Sequence, residues 1–159
     1  MSQPVKQFER GPYLSAALLC EKVLVEQDGV KSAIRIVDRI NRTAVGPSPP
    51  SEMEPFDYEM VLLLRFKSGW ARGVHTVKVQ TAKPSGELMP EVVNSVLFEG
   101  EEDRGVDIVG HMKLKLEQTG IYWIYIYLND IRVTQIPFRV TYMSQVIQVR
   151  GSGSNPSQE

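Results

Sequence analysis

Between residues 56 and 67 the chain reads FDYEMVLLLRFK, so Phe56, Tyr58, Met60, Leu62, Leu64 and Phe66 occupy every second position. Successive side chains of a strand point to opposite faces, whereas helix neighbours recur every 3.6 residues. A two-residue period therefore specifies a strand with one apolar face turned toward a core. The pattern returns at 106–116, where Val106, Ile108, Met112, Leu114 and Leu116 alternate with Asp107, Val109, His111, Lys113 and Lys115. Gly110 sits in that run where a bulge is expected. No segment of useful length carries the helix period.

The remaining apolar segments fit the same reading. Residues 13–27 form a long extended run, and Asp28-Gly29 is a hairpin signal leading into 31–40, where Ile34, Ile36 and Ile40 share a face with Asp38. Strands are also expected at 74–82 and 92–99; the stretch that begins at 117 forms the last hairpin with 131–142, and a short edge strand follows at 146–149. The stretch GPSPPSEMEP holds four prolines in ten residues and reads as a mobile loop. With 42% hydrophobic residues among 159, the chain can fill a sizeable core. The expected architecture is all-β: an antiparallel β-sandwich, immunoglobulin-like or jelly-roll-like, of seven to nine strands. It occupies one domain over residues 12–149, between a flexible segment 1–11 and a disordered tail 150–159.

Composition narrows the function classes. A formal net charge of −1 gives no overall field toward nucleic acid or anionic lipid, and no basic arm or aromatic RNA-binding motif is present. The single cysteine, Cys20, excludes an internal disulfide and suits a reducing cytoplasm. Lys6 and Arg10 before LSAALLC imitate a lipoprotein signal, but the apolar run is short, Leu19 precedes the cysteine where a small residue is required, and Glu21-Lys22 follow. No run approaches the ~20 apolar residues of a membrane span. The expectation is a cytoplasmic protein with neither membrane nor nucleic-acid partners.

The segment EQTGIYWIYIYLNDIRV, residues 117–133, resembles the penultimate strand of immunoglobulin-like sandwiches. There a polar turn, a glycine and a tyrosine two residues later form a tyrosine corner. The resemblance implies that Gly120 marks the turn and that Tyr122 tethers the strand through its hydroxyl. A second resemblance covers residues 13–142. ALLCEKVLVEQDGVKSAIRIVDRI and GIYWIYIYLNDIRVTQIPFRVTY are similar to a family of small uncharacterised bacterial single-domain β-sandwich proteins. That family has a Leu-Cys-Glu opening strand and Gly-x-Tyr and Pro-Phe-x-Val closing strands. The resemblance implies a stand-alone bacterial sandwich and imports no activity.

Candidates for chemistry are sparse. Catalytic nucleophiles need an adjacent base, and the two histidines, His75 and His111, lie among strand residues with no nucleophile elbow. His75 is expected partly buried and His111 exposed. One cysteine and two scattered histidines do not make a zinc site. Glu99, Glu101, Glu102, Asp103 and Asp107 bunch near one turn without calcium-loop spacing. Lys78, Lys83, Lys113 and Lys115 read as solvent-facing strand positions. The expectation is no catalytic residue, no metal and no cofactor, with Cys20, His75 and His111 dispensable.

What stands out is the aromatic run. Tyr122, Ile124, Ile126 and Leu128 share one strand face, and Trp123, Tyr125 and Tyr127 the other. With Asn129-Asp130 as a two-residue turn, Tyr127 opposes Arg132 and Tyr125 opposes Thr134. Pro137 cannot donate to a ladder, so a bulge near 135–137 is expected to return Phe138, Val140 and Tyr142 to the core. The resulting expectation is a non-catalytic binding or assembly module. Its sheet face of Trp123, Tyr125, Tyr127 and Arg132 would meet another protein chain, a second copy being one such partner. The alternatives are a carbohydrate-binding sandwich, with rings stacked on sugar faces, or a carboxylate enzyme built near Asp107.

Overall fold

A computed structural model describes residues 10–148. The expected flexible segment 1–11, apart from Arg10 and Gly11, and the expected tail 150–159 lie outside the described residues, as does the end of the edge strand expected at 146–149. Among the described residues there is no helix. The chain runs through nine strands: β1 (Tyr13–Val25), β2 (Lys31–Ile36), β3 (Arg39–Gly46), β4 (Phe56–Lys67), β5 (Arg72–Ala82), β6 (Val92–Glu99), β7 (Gly105–Leu116), β8 (Gly120–Leu128) and β9 (Ile131–Val146). One sheet has the order β2-β1-β4-β7 and the other β3-β9-β8-β5-β6. Leu19, Leu62, Leu64 and Phe66 of the first sheet pack against Val77, Phe98, Ile124, Ile126 and Phe138 of the second, all of them out of water.

Strand β4 departs from the one-faced strand that its sequence announces. Met60, Leu62, Leu64 and Phe66 face the core, yet Val61 and Leu63 on the opposite side are only 4% and 8% exposed. The cause is curvature. Lys31 of β2 reaches Asp107 of β7 at 3.0 Å, although these strands are the two edges of their sheet. The sheet therefore curls into a half-barrel whose back closes over Val61, Leu63 and the fully buried Cys20. Arg65 also donates to the Asp107 carboxylate through two nitrogens, at 2.7 and 2.9 Å. This forked pairing, together with the Lys31 ammonium, holds the Asp107 carboxyl well below its ordinary range, at about 2.

The segment 31–40 is not one strand. Arg35 adopts a left-handed φ of 55°, the hairpin partner of β1 ends at Ile36, and the chain crosses to the other sheet. There β3 pairs parallel to β9, from Arg39 opposite Arg139 to Gly46 opposite Val146. An entirely antiparallel arrangement is thus corrected by one parallel pair. The crossing also explains the isoleucines: Val37 and Ile40 pack on the core, while Ile36 stays exposed on the sheet left behind. The proline-rich loop is tethered as well, because Met53 packs against the core and the Tyr142 hydroxyl donates to the Pro50 carbonyl at 2.7 Å.

Local turn chemistry follows the residues. Gly29 takes φ 84° in the β1–β2 turn, where the Asp28 carboxylate accepts the Val30 N–H. Asn129 and Asp130 both have positive φ, 48° and 63°, as a two-residue hairpin turn matched to strand twist requires. At Gly120 φ is 125°, and an added Cβ would lie 3.0 Å from Pro84. One turn later the buried Tyr122 hydroxyl accepts the backbone N–H groups of Glu117 and Gln118, each at 3.1 Å.

Two stability outcomes follow. Tyr122→Phe keeps the ring but strands two N–H groups, and should cost about 1–2 kcal/mol in urea unfolding. Asp107→Asn should cost about 2 kcal/mol at neutral pH. Because the folded carboxyl titrates below the unfolded one, its contribution is complete above roughly pH 4 and disappears as pH falls toward 2. The gap between parent and variant should therefore close only across that acid window.

Candidate functional site

The aromatic row lies on the outer face of the five-stranded sheet. Ladder pairing places Trp123 beside Pro137 and Ala82, Tyr125 beside Gln135 and Gln80, and Tyr127 beside Arg132 and Lys78. Tyr125 thus opposes Gln135 rather than Thr134, because the irregularity in the β8–β9 ladder falls opposite Ile126 and Tyr127, leaving Val133 without a partner. The bulge expected at 135–137 is displaced toward the turn, where strongly twisted hairpins accommodate the extra residue. Phe138 and Val140 are nonetheless buried, while Tyr142 is half-buried. Pro137 sits where β9 has no second neighbour, since β3 joins only from Arg139 onward, a place suited to a residue without an N–H.

All three rings are half-buried, and two carry cations. The Arg132 guanidinium lies 5.2 Å from the Tyr125 ring centre and the Lys78 ammonium 4.9 Å from that of Tyr127. Lys78 is itself held at 3.3 Å from Asp130. These cation–π contacts cover the ring faces and make the row an amphipathic surface rather than a bare apolar one.

Exposed apolar side chains lie next to it on β5 and β6, as they also do at Val25, Ile36, Met143 and Val146 elsewhere. Val74 and Leu97 are ladder partners, 71% and 58% exposed, and Val93, the ladder neighbour of Lys78, is 53% exposed. Trp70, in the β4–β5 loop at the same end, is 58% exposed; its indole N–H donates to Glu102 at 2.6 Å and Arg10 lies over its ring at 5.0 Å. Sequence reasoning passes over these four residues, because alternation assigns Val74, Val93 and Leu97 to strands without saying that their face is uncovered. The only local signal for Trp70 is a large indole within SGWARG, where a tight loop ordinarily places small or polar residues.

The other candidates occupy structural positions. His75 is half-buried edge-on to Phe98, with Nε2 3.2 Å from the Arg72 carbonyl oxygen and Nδ1 2.7 Å from the Asn129 amide nitrogen. That network fits the neutral tautomer that donates from Nε2. His111 is exposed. Glu99 and Glu101 pair with Arg104, at 2.8 and 2.9 Å, and Asp107 pairs with Arg65 and Lys31. No cluster of three potential metal ligands occurs among the described residues. Lys83, Lys113 and Lys115 each have a carboxylate partner. Cys20 is fully buried, with Sγ 3.7 Å from the Val61 carbonyl oxygen, and burial pushes its thiol above the ordinary range. No helix of the described residues is long and apolar enough to cross a membrane.

Against this geometry stand the comparisons with known proteins. The model of a family of unknown function (DUF6941) matches residues 15–141, from β1 into β9, and the chain belongs to that family. Among curated proteins none matches in sequence. Among solved structures, the chain is similar to a Pseudomonas fluorescens alkylpurine DNA glycosylase, AlkC, bound to DNA containing an abasic site analog, at 10% identity and a TM-score of 0.36. The match covers 79% of this chain and 30% of that one.

The position of Cys20 has a direct chemical consequence. A thiol reagent such as Ellman's should leave it unmodified in the native protein and titrate one thiol in denaturant. Rapid native labelling would mean that the half-barrel opens.

Proposed function

We propose that this chain, as a member of that family, acts as a non-catalytic protein-binding module working through the outer face of its five-stranded sheet. The observation that carries the reading is the exposure of Val74, Val93 and Leu97 on the same face as the cation-capped aromatic row. Monomeric proteins rarely leave contiguous apolar patches beyond ~300–600 Å² uncovered. Aromatic residues and arginine concentrate binding energy at contacts between proteins. Tyr125, Tyr127 and Arg132 supply such anchors, with the exposed aliphatics as their apolar surround. The capped rings weigh against a sugar platform, which needs a free ring face. The three-way pairing of Asp107 weighs against its use as a proton donor near neutral pH.

The wider reading is a cytoplasmic bacterial sandwich of immunoglobulin-like type. The tyrosine corner at Tyr122, whose hydroxyl accepts the N–H groups of Glu117 and Gln118, supports the immunoglobulin-like part of it. The test is Tyr125→Glu combined with Tyr127→Lys, beside Val74→Glu alone, with circular dichroism to verify the fold. Light scattering and affinity capture should show at least a tenfold loss of self-association or of partner binding in both variants. Unchanged association would refute the face.

A further inference from the structure

Strand β6 is an edge: among the described residues it pairs with β5 and with no strand on its other side. Exposed edges offer unpaired N–H and C=O groups to another chain, and proteins ordinarily blunt them with charges, prolines or bulges. The other three edge strands carry such devices. β2 has Lys31 and the left-handed Arg35, β3 has Arg39 and Arg42, and β7 has Asp107, Lys113 and Lys115. Over residues 92–98, VVNSVLF, β6 has none, and its register with β5 is unbroken from Val92 to Glu99.

We infer that β6 pairs antiparallel with β6 of a second copy, joining two five-stranded sheets into one ten-stranded sheet about a two-fold axis at Ser95. The inference rests on the protein-binding reading and names its partner. The side chains specify the occupant, because a two-fold contact must be self-complementary. In this register residue i meets residue 190 minus i, so Val93 lies against Leu97 of the second copy and Leu97 against its Val93. Ser95 meets Ser95, and Val74 flanks each pair in the next row through its own pairing with Leu97. All of these side chains are exposed in the single chain.

At each end Glu91 meets Glu99 of the second copy, a like-charged pair that opposes the contact; Lys78, shared between Glu91 at 3.9 Å and Asp130, and Arg104, shared between Glu99 at 2.8 Å and Glu101, offset part of it. The apolar patch is on the order of several hundred Å², below the ~800 Å² per partner of a standard stable interface. Backbone pairing must therefore supply part of the affinity, and the dimer should depend on concentration.

The experiment uses the full chain. Sedimentation equilibrium should show a reversible monomer–dimer mixture. Ser95→Lys sets two ammonium groups together on the axis and should weaken dimerisation at least tenfold while leaving the circular dichroism unchanged. Antiparallel partners have Cα atoms about 4.5–5.5 Å apart, within disulfide reach. Ser95→Cys under a mild oxidant should then cross-link much faster than a cysteine at the exposed Gln27; the buried Cys20 does not compete. A parent that stays monomeric, a Ser95→Lys protein that dimerises like the parent, or cross-linking no faster than at Gln27 overturns the inference. If the parent is monomeric yet captures a different protein through Tyr125 and Tyr127, the dimer falls and the binding reading stands. Loss of both self-association and capture sensitivity to the face variants removes the two together.

Discussion

Strand β4 has to be buried on both faces, and much of the architecture serves that requirement. Five consecutive residues, Met60 to Leu64, are out of water, which an ordinary two-layer sandwich does not provide for a strand that has a back. One face is covered by the opposite sheet. The other is covered because its own sheet curls until Lys31 and Asp107 meet across its two edges. The long β1 strand, the hairpin at Gly29 and the forked Arg65 contact all act on that curl. A buried carboxylate is costly unless paired and hydrogen-bonded, and Asp107 satisfies the condition with two cations of its own sheet.

Much of this is written locally in the chain. The alternation in β4 and β7, the glycine and tyrosine of the β8 corner and the Asn129-Asp130 turn each depend on near neighbours, so sequence reads them well. What escapes it depends on distant partners. Nothing within 31–40 announces that the chain changes sheets after Ile36, because Ile34, Ile36 and Ile40 look alike until the crossing separates them. The burial of Val61 and Leu63 follows from curvature, which no two-residue period encodes. Tyr125 finds Gln135 because the extra residue, Val133, falls near the turn. Exposure at Val74, Val93 and Leu97 is likewise a property of what fails to cover them, and the single chain reveals it only once folded.

The aromatic row shows how a surface of large rings remains compatible with water. Lys78 and Arg132 lay charge over Tyr127 and Tyr125, so each ring turns a charged group rather than a bare face toward solvent. The aliphatic flank on β5 and β6 has no such cover, so apolar and charged strips lie side by side on one sheet; on the proposed reading the first would drive association and the second would orient it. Cations near the rings add orientation, since a charge in the contact disfavours partners of like sign.

The parallel pairing of β3 with β9 matters for the order of assembly. Asn41 accepts a hydrogen bond from the Thr141 hydroxyl across a separation of 100 residues. Closing so long a loop costs entropy before any contact repays it. As the chain emerges from the ribosome, β1, β2 and β4 have local or near partners, whereas β3 waits for the last strand to be made. Until then the backbone groups that β3 will give to β9 have only water as partner. Pairing with β9 closes one side of β3, and the other side stays an edge of the finished sheet, where Arg39 and Arg42 remain as its protection.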